Sequence, residues 1–149
     1  MSLHASAWVA VGVVLALTWT LHLLHCSQRR QIRSLAVGLL ILPLCYVGFA
    51  LAAGHYSGLP HEGMGVLLYG VLALLGQRQP GWLALGWLGH IAWDLATPEL
   101  HAGYVPDFYG PLCLGFDGVI GLLAARLAWR PPARSAQATH RRTPTSEPR

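Results

Sequence analysis

The sequence predicts an all-α integral membrane protein: a bundle of five transmembrane helices with its N-terminus outside and its C-terminus cytoplasmic. Three observations predict it. Only 11% of the 149 residues are charged and 54% are hydrophobic, whereas a soluble domain carries roughly 25% charged residues to keep its surface wet. Five apolar runs approach the ~20 residues that cross a ~30 Å hydrocarbon core. Arginine, the only strongly basic residue type in a chain without lysine, falls in alternate connections between those runs.

The spans read in order as 5–24, 35–53, 63–76, 82–96 and 110–129. The third and fourth are short, about 21 to 23 Å as ideal helices, and need polar flanks at the interface or a thinned bilayer. A re-entrant hairpin is the alternative for this pair. It would bury Arg78 in hydrocarbon at a cost of at least ~2.5–3.5 kcal/mol, so two full spans turning at Pro80-Gly81 are the better reading.

Orientation follows from arginine, which collects on the cytoplasmic side. Arg29, Arg30 and Arg33 follow the first span, Arg78 the third, and Arg126 and Arg130 stand at the end of the fifth. The connections 54–62 and 97–109 contain none. Residues 131–149 hold Arg134, Arg141, Arg142 and Arg149 among Pro, Ser and Thr, a composition that reads as a disordered cytoplasmic tail. Because the basicity is concentrated there as dispersed arginines, no nucleic-acid partner is expected. The positive charges follow the first apolar run instead of preceding it, which is not the pattern of a cleaved signal peptide. The expected location is the inner or plasma membrane, multi-pass, with the lipid bilayer as the first partner.

Several chemistries are disfavoured. Cys26, Cys45 and Cys113 are odd in number and form no C-x-x-C pair, against a disulfide framework or a thiol-exchange enzyme. No glycine-rich phosphate loop is present, and an odd span count argues against an inverted-repeat transporter.

Ionisable groups inside spans are rare unless they line a site or pathway. The fourth span carries His90 and Asp94, the fifth Cys113 and Asp117, each pair at i, i+4 and therefore on one helix face. His90 and Asp117 fall about 10 Å below the outer boundary, and Asp94 and Cys113 about 5 Å, if the ends are counted at 1.5 Å per residue. Tyr46 and Tyr69 fall at the depth of His90. The expectation is an outward-facing pocket lined by His90, Asp94, Asp117, Tyr46, Tyr69 and Cys113, with His61 and Glu62 at its mouth. His55, His61, Glu99, His101 and Asp107 read either as ligands that recruit a metal from outside or, the commoner case, as solvated loop residues, and Tyr104 as part of an interfacial aromatic belt.

Such a pocket suits two reaction types. An isomerase or cyclase acting on a lipid or terpenoid needs an acid, a base and aromatic faces to stabilise a carbocation; Trp87, Trp93, Tyr69 and Phe116 are the candidate faces. A metal-assisted hydrolase needs N/O ligands for a divalent metal, for which His90, Asp94 and Asp117, joined by Glu62, are candidates. In either case His90, Asp94, Asp117 and Glu62 are the catalytic candidates, and Tyr46, Tyr69, Trp87, Trp93, Cys113 and Phe116 the substrate-binding ones. The alternatives are a non-enzymatic accessory subunit, a proton- or metal-coupled transport component, or a purely structural hydrogen-bond network; a homo-oligomer or a larger membrane partner would accompany the first of these.

The run Gly86-Trp87-Leu88-Gly89-His90-Ile91-Ala92-Trp93-Asp94, then Val105-Pro106, then Cys113-Leu114-Gly115-Phe116-Asp117 resembles the signature of a family of small multi-pass membrane proteins of unassigned activity. That signature is W-x-x-H-x-x-W-D, a Pro-containing outer loop, and C-x-x-x-D, with an upstream acid that Glu62 matches. The resemblance implies that His90, Asp94, Cys113 and Asp117 act as one unit. A looser similarity links the chain to the emopamil-binding sterol isomerase superfamily, from which its length and five spans depart.

Overall fold

The computed structural model describes residues 3–129, which fold as helices joined by short turns, with no strand among them. The tail expected at 131–149 lies outside the described residues. Helix α1 spans Leu3–Leu24, α2 Gln28–Ala52, α3 Leu59–Gly76 after a 3-10 turn at Tyr56–Gly58, α4 Gly81–Ala96, α5 Pro98–His101 and α6 Tyr109–Ala128.

Four stretches, Leu3–Leu24, Gln28–Ala52, Tyr56–Gly76 and Tyr109–Ala128, are long and apolar enough to cross a membrane. The remaining long helix, α4, has 16 residues. Leu21, Leu67, Leu74 and Leu122 point away from the bundle and are exposed. Water would penalise so continuous an apolar surface, and hydrocarbon does not.

Two helix starts differ from the sequence expectation. Helix α2 begins at Gln28 instead of residue 35, because Gln and Arg are good helix formers and propagate the helix into the polar segment. The Gln31 side chain also donates to the Cys26 carbonyl at 2.9 Å, satisfying an acceptor left free where α1 ends. Arg29, Arg30 and Arg33 therefore stand on the first turns of α2 and not in a loop. Helix α3 begins at Leu59, with Pro60 in the first turn, where a missing N–H costs nothing. Glu62 thereby enters the helix at its electropositive end.

Packing runs from α1 to α6, α6 to α4, α4 to α3 and α3 to α2, with α2 also touching α4 and α6. Leu35, Leu39, Leu83, Trp87, Ile120 and Leu127 fill the apolar core. The C-terminal ends of α2 and α4 and the N-terminal ends of α3 and α6 meet at one end of the bundle, beneath the segments 53–58 and 97–108. The arginines within the described residues occupy the opposite end: Arg29, Arg30 and Arg33 on α2, Arg78 at the α3–α4 turn, and Arg126 in the last turn of α6.

Helix α1 is held almost entirely by α6. Their backbones touch at two glycines: a Cβ on Gly12 would lie 2.1 Å from the Leu112 carbonyl oxygen, and one on Gly115 would lie 2.1 Å from that of Val9. Only a residue without a side chain allows this approach. Gly115→Leu is expected to force α1 off α6 and destabilise the chain by about 1–3 kcal/mol, the range for overpacking. Gly118→Leu, where an added Cβ meets nothing within 4 Å, serves as the control. Thermal unfolding of the two detergent-purified variants should show a lowered midpoint for the first and little change for the second.

Candidate functional site

The polar residues gather at the end of the bundle that lacks arginine, in two connected layers. The deeper layer is centred on His90. Its Nδ1 lies 2.9 Å from Asp117 Oδ2 across the α4–α6 interface, and both side chains are fully buried. Asp94, one turn further along α4, places Oδ2 3.7 Å from the same Nδ1. The ring nitrogen thus stands between two carboxylates and can donate to Asp117 when that group is ionised.

Helix α2 adds Tyr46, whose hydroxyl donates to Asp94 Oδ1 at 2.8 Å. The Tyr46 and Tyr69 rings meet the His90 imidazole edge to face, with centroids 5.7 and 5.2 Å away. Four helices therefore each contribute a polar side chain around one imidazole. Two oxygens in this layer, Asp94 Oδ2 and Asp117 Oδ1, have no hydrogen-bond partner. Unpaired buried acceptors are costly in a stable fold and are common where a substrate or proton is to be received.

The second layer covers the first. Glu62 is 1% exposed and accepts a hydrogen bond from the Tyr104 hydroxyl. His101 Nε2 stands 3.4 Å from Glu62 Oε1 without forming a hydrogen bond. His61, beside Glu62 on α3, stacks its ring on Trp93 at 4.6 Å and also leaves Nε2 unpartnered. Single ligand atoms of His61, Glu62 and His101 all lie within 4.8 Å of one another, the spacing a metal ion could bridge. Burial and the Glu62 carboxylate both push the Tyr104 phenol above its usual range, so it stays a donor. Tyr46 joins the layers: its ring lies against His101 at 4.7 Å while its hydroxyl reaches Asp94.

Short helix α5 and the left-handed Gly103 (φ 92°) fold the segment after α4 back over the bundle. That path buries His101 and Tyr104, whereas a solvated loop and an interfacial belt are the commoner expectation for them. The sequence offers His101 only as one of several outer residues able to recruit a metal, and Tyr104 only through its i, i+3 spacing from His101. Glu62 likewise sits beneath this segment and not at an open mouth.

Of the other expected residues, Trp93 joins the second layer. Trp87 and Phe116 do not join either layer. The Trp87 indole donates to the Leu35 carbonyl at 3.2 Å, pinning α4 to α2. Trp87, Phe116 and Trp19 contact one another beside a second cavity of about 600 Å³, which Cys113 also lines. His90 Nδ1 and Asp117 Oδ2 bond directly to each other, and among the described residues the ligand atoms that gather within 4.8 Å are those of His61, Glu62 and His101.

A cavity of about 490 Å³ lies between α1, α4, α6 and the segment 98–107. Val9, Ile91 and Leu114 give it apolar walls, and Asp94, Tyr46 and His101 reach it from the polar layers. The fold and the site together define a helical chain with four stretches long and apolar enough to cross a membrane and a buried, multi-helix His–carboxylate centre whose Asp94 and Tyr46 reach an apolar cavity. No protein-family model matches the chain, and neither a curated protein nor a solved structure is significantly similar to it.

Asp117→Leu leaves the His90 N–H buried without its acceptor and is expected to cost about 1–3 kcal/mol. Asp117→Asn keeps an acceptor oxygen and should cost less. Comparing the unfolding midpoints of the two variants in detergent checks the order.

Proposed function

We propose that this chain is a membrane-embedded enzyme that uses acid–base chemistry on an amphiphilic substrate, a lipid or terpenoid, held in the cavity of about 490 Å³. The observation that carries the reading is the geometry of Asp94. It is the one member of the His90, Asp94 and Asp117 cluster that lines the cavity, and its buried, unpartnered Oδ2 stands 3.7 Å from His90 Nδ1.

In this reading Asp94 exchanges a proton with the substrate, His90 relays it, and Asp117 orients the imidazole and balances its charge. Tyr46 fixes the Asp94 carboxyl through Oδ1 and leaves Oδ2 unpaired on the His90 side, in line for the relay. The cavity walls favour an apolar substrate body with one reactive polar group. The topology that fits this role is five spans with the N-terminus outside, α4 being a short tilted or flanked span, in the cell membrane. It places the arginines on the cytoplasmic side and the site toward the outer leaflet.

A coupled transport component would need a polar path to the far end of the bundle. The tight apolar packing there, with Leu23, Leu35, Leu39, Leu83 and Leu127 almost fully buried, favours the enzyme over that role.

Native mass spectrometry of the detergent-purified protein should reveal a co-purifying amphiphile in the wild type. Gly110→Phe is expected to displace it, because Gly110 lines the cavity and an added Cβ there meets no atom within 4 Å. Asp94→Asn should retain the bound mass while abolishing its conversion, followed by lipid extraction and product analysis. Retention of the same mass in Gly110→Phe would place the ligand elsewhere and remove the support for this reading.

A further inference from the structure

We propose that His61, Glu62 and His101 form a binding site for one divalent transition-metal ion of the zinc class, separate from the His90 centre. Three observations carry it. The first is chemical: two imidazoles and one carboxylate are a ligand set that zinc takes, and three protein ligands leave a fourth position for water or substrate, the arrangement of catalytic rather than structural sites.

The second is geometric. Glu62 Oε1 and His101 Nε2 are 3.4 Å apart and not hydrogen-bonded. Tetrahedral zinc, with bonds of roughly 2.0–2.1 Å, holds its ligand atoms about 3.4 Å from one another. A hydrogen-bonded pair would have closed to about 2.9 Å, as His90 and Asp117 have. The His61 and His101 Nε2 atoms are both buried and both without partners, and His101 as a whole is only 7% exposed. Two buried unpaired nitrogens, on residues whose ligand atoms gather within 4.8 Å of one buried carboxylate, are costly as they stand, and a cation held by the three residues offsets that cost.

The third is electrostatic. This end of the bundle carries Glu62, Asp94, Glu99, Asp107 and Asp117, while every arginine of the described residues lies at the other end. A dication beside Glu62 offsets part of that imbalance. The surrounding residues also resemble the outer shell of a metal site: Tyr104 donates to the Glu62 carboxylate, His55 stacks on Tyr104 at 4.9 Å, and Trp93 stacks on His61.

His101 also lines the cavity of about 490 Å³, so the ion would border the substrate space. There it would supply Lewis-acid polarisation or an activated water. Metal binding does not depend on the acid–base reading of His90, and the two fail separately.

The test uses the full chain in detergent, stripped with a chelator and titrated with Co²⁺ as a spectroscopic probe, with Zn²⁺ as competitor. The wild type should take up one equivalent with the strong visible bands of four- or five-coordinate cobalt, bleached by Zn²⁺. His101→Ala and Glu62→Gln should abolish those bands, and Tyr104→Phe should weaken binding by about 10- to 100-fold, as loss of an outer-shell partner does. Asp117→Asn should bind as the wild type does. Weak octahedral bands or no uptake by the wild type would overturn the site outright, even if a ligand variant fails to fold. Equal binding by a folded His101→Ala variant, or loss confined to Asp117→Asn, would overturn the assignment to these three residues.

Discussion

Burying an imidazole and two carboxylates in a bundle without bulk water costs free energy unless they bond to one another, and the 2.9 Å contact from His90 to Asp117 is where that demand is met. The contact fixes the rotation of α4 against α6. Asp94, one turn further along α4, must then face the interior, and α2 must present Tyr46 to meet it. Tyr69 closes the ring from α3 with its aromatic edge on the imidazole. Helix α1 answers to a different constraint, the glycine contacts that let its backbone lie on that of α6. It forms a wall of the cavity without contributing a titratable group to the centre.

The two polar layers differ in how completely they are satisfied, and the difference sorts their roles. In the deep layer His90 is bonded, and the free acceptors belong to the carboxylates, as suits a group that holds and passes protons. In the covering layer the free atoms are imidazole nitrogens arranged around a carboxylate that is already oriented by Tyr104, as suits a group awaiting a cation. Tyr46 touches both, so a change in one layer has a short physical route to the other. The apolar half of the bundle, packed around Leu35, Leu39, Leu83 and Trp87, carries no such network and serves as the rigid base beneath it.

Much of the deep layer was legible because its information is local. The i, i+4 spacing of His90 and Asp94 puts both on one helix face, and counting from the span ends brings Asp117, Tyr46 and Tyr69 to a common depth whatever the details of packing. The aromatic assignments were less legible. Trp87 and Trp93 differ by six residues and so sit on different faces of α4; one pins α2, the other lies over His61. Nothing in the spacing says which face a neighbour will occupy. The burial of His101 and Tyr104 was illegible, because a loop residue's burial depends on where the chain folds back, and here that is set by the short α5 and the left-handed Gly103.

By itself, the sequence determined the helical, membrane-type character of the chain, the segregation of arginine from acid along it, and the presence of a buried His–carboxylate group, because hydropathy, helical period and the cost of burying charge act over a few turns. Only the tertiary structure decided that Glu62 lies beneath a cover and not at a mouth, that Trp87 and Phe116 pack away from the centre, and that His61, Glu62 and His101 converge. Those three residues come from α3 and from the segment that follows α4, and their meeting depends on helix rotation and loop path, which are settled by contacts among distant residues.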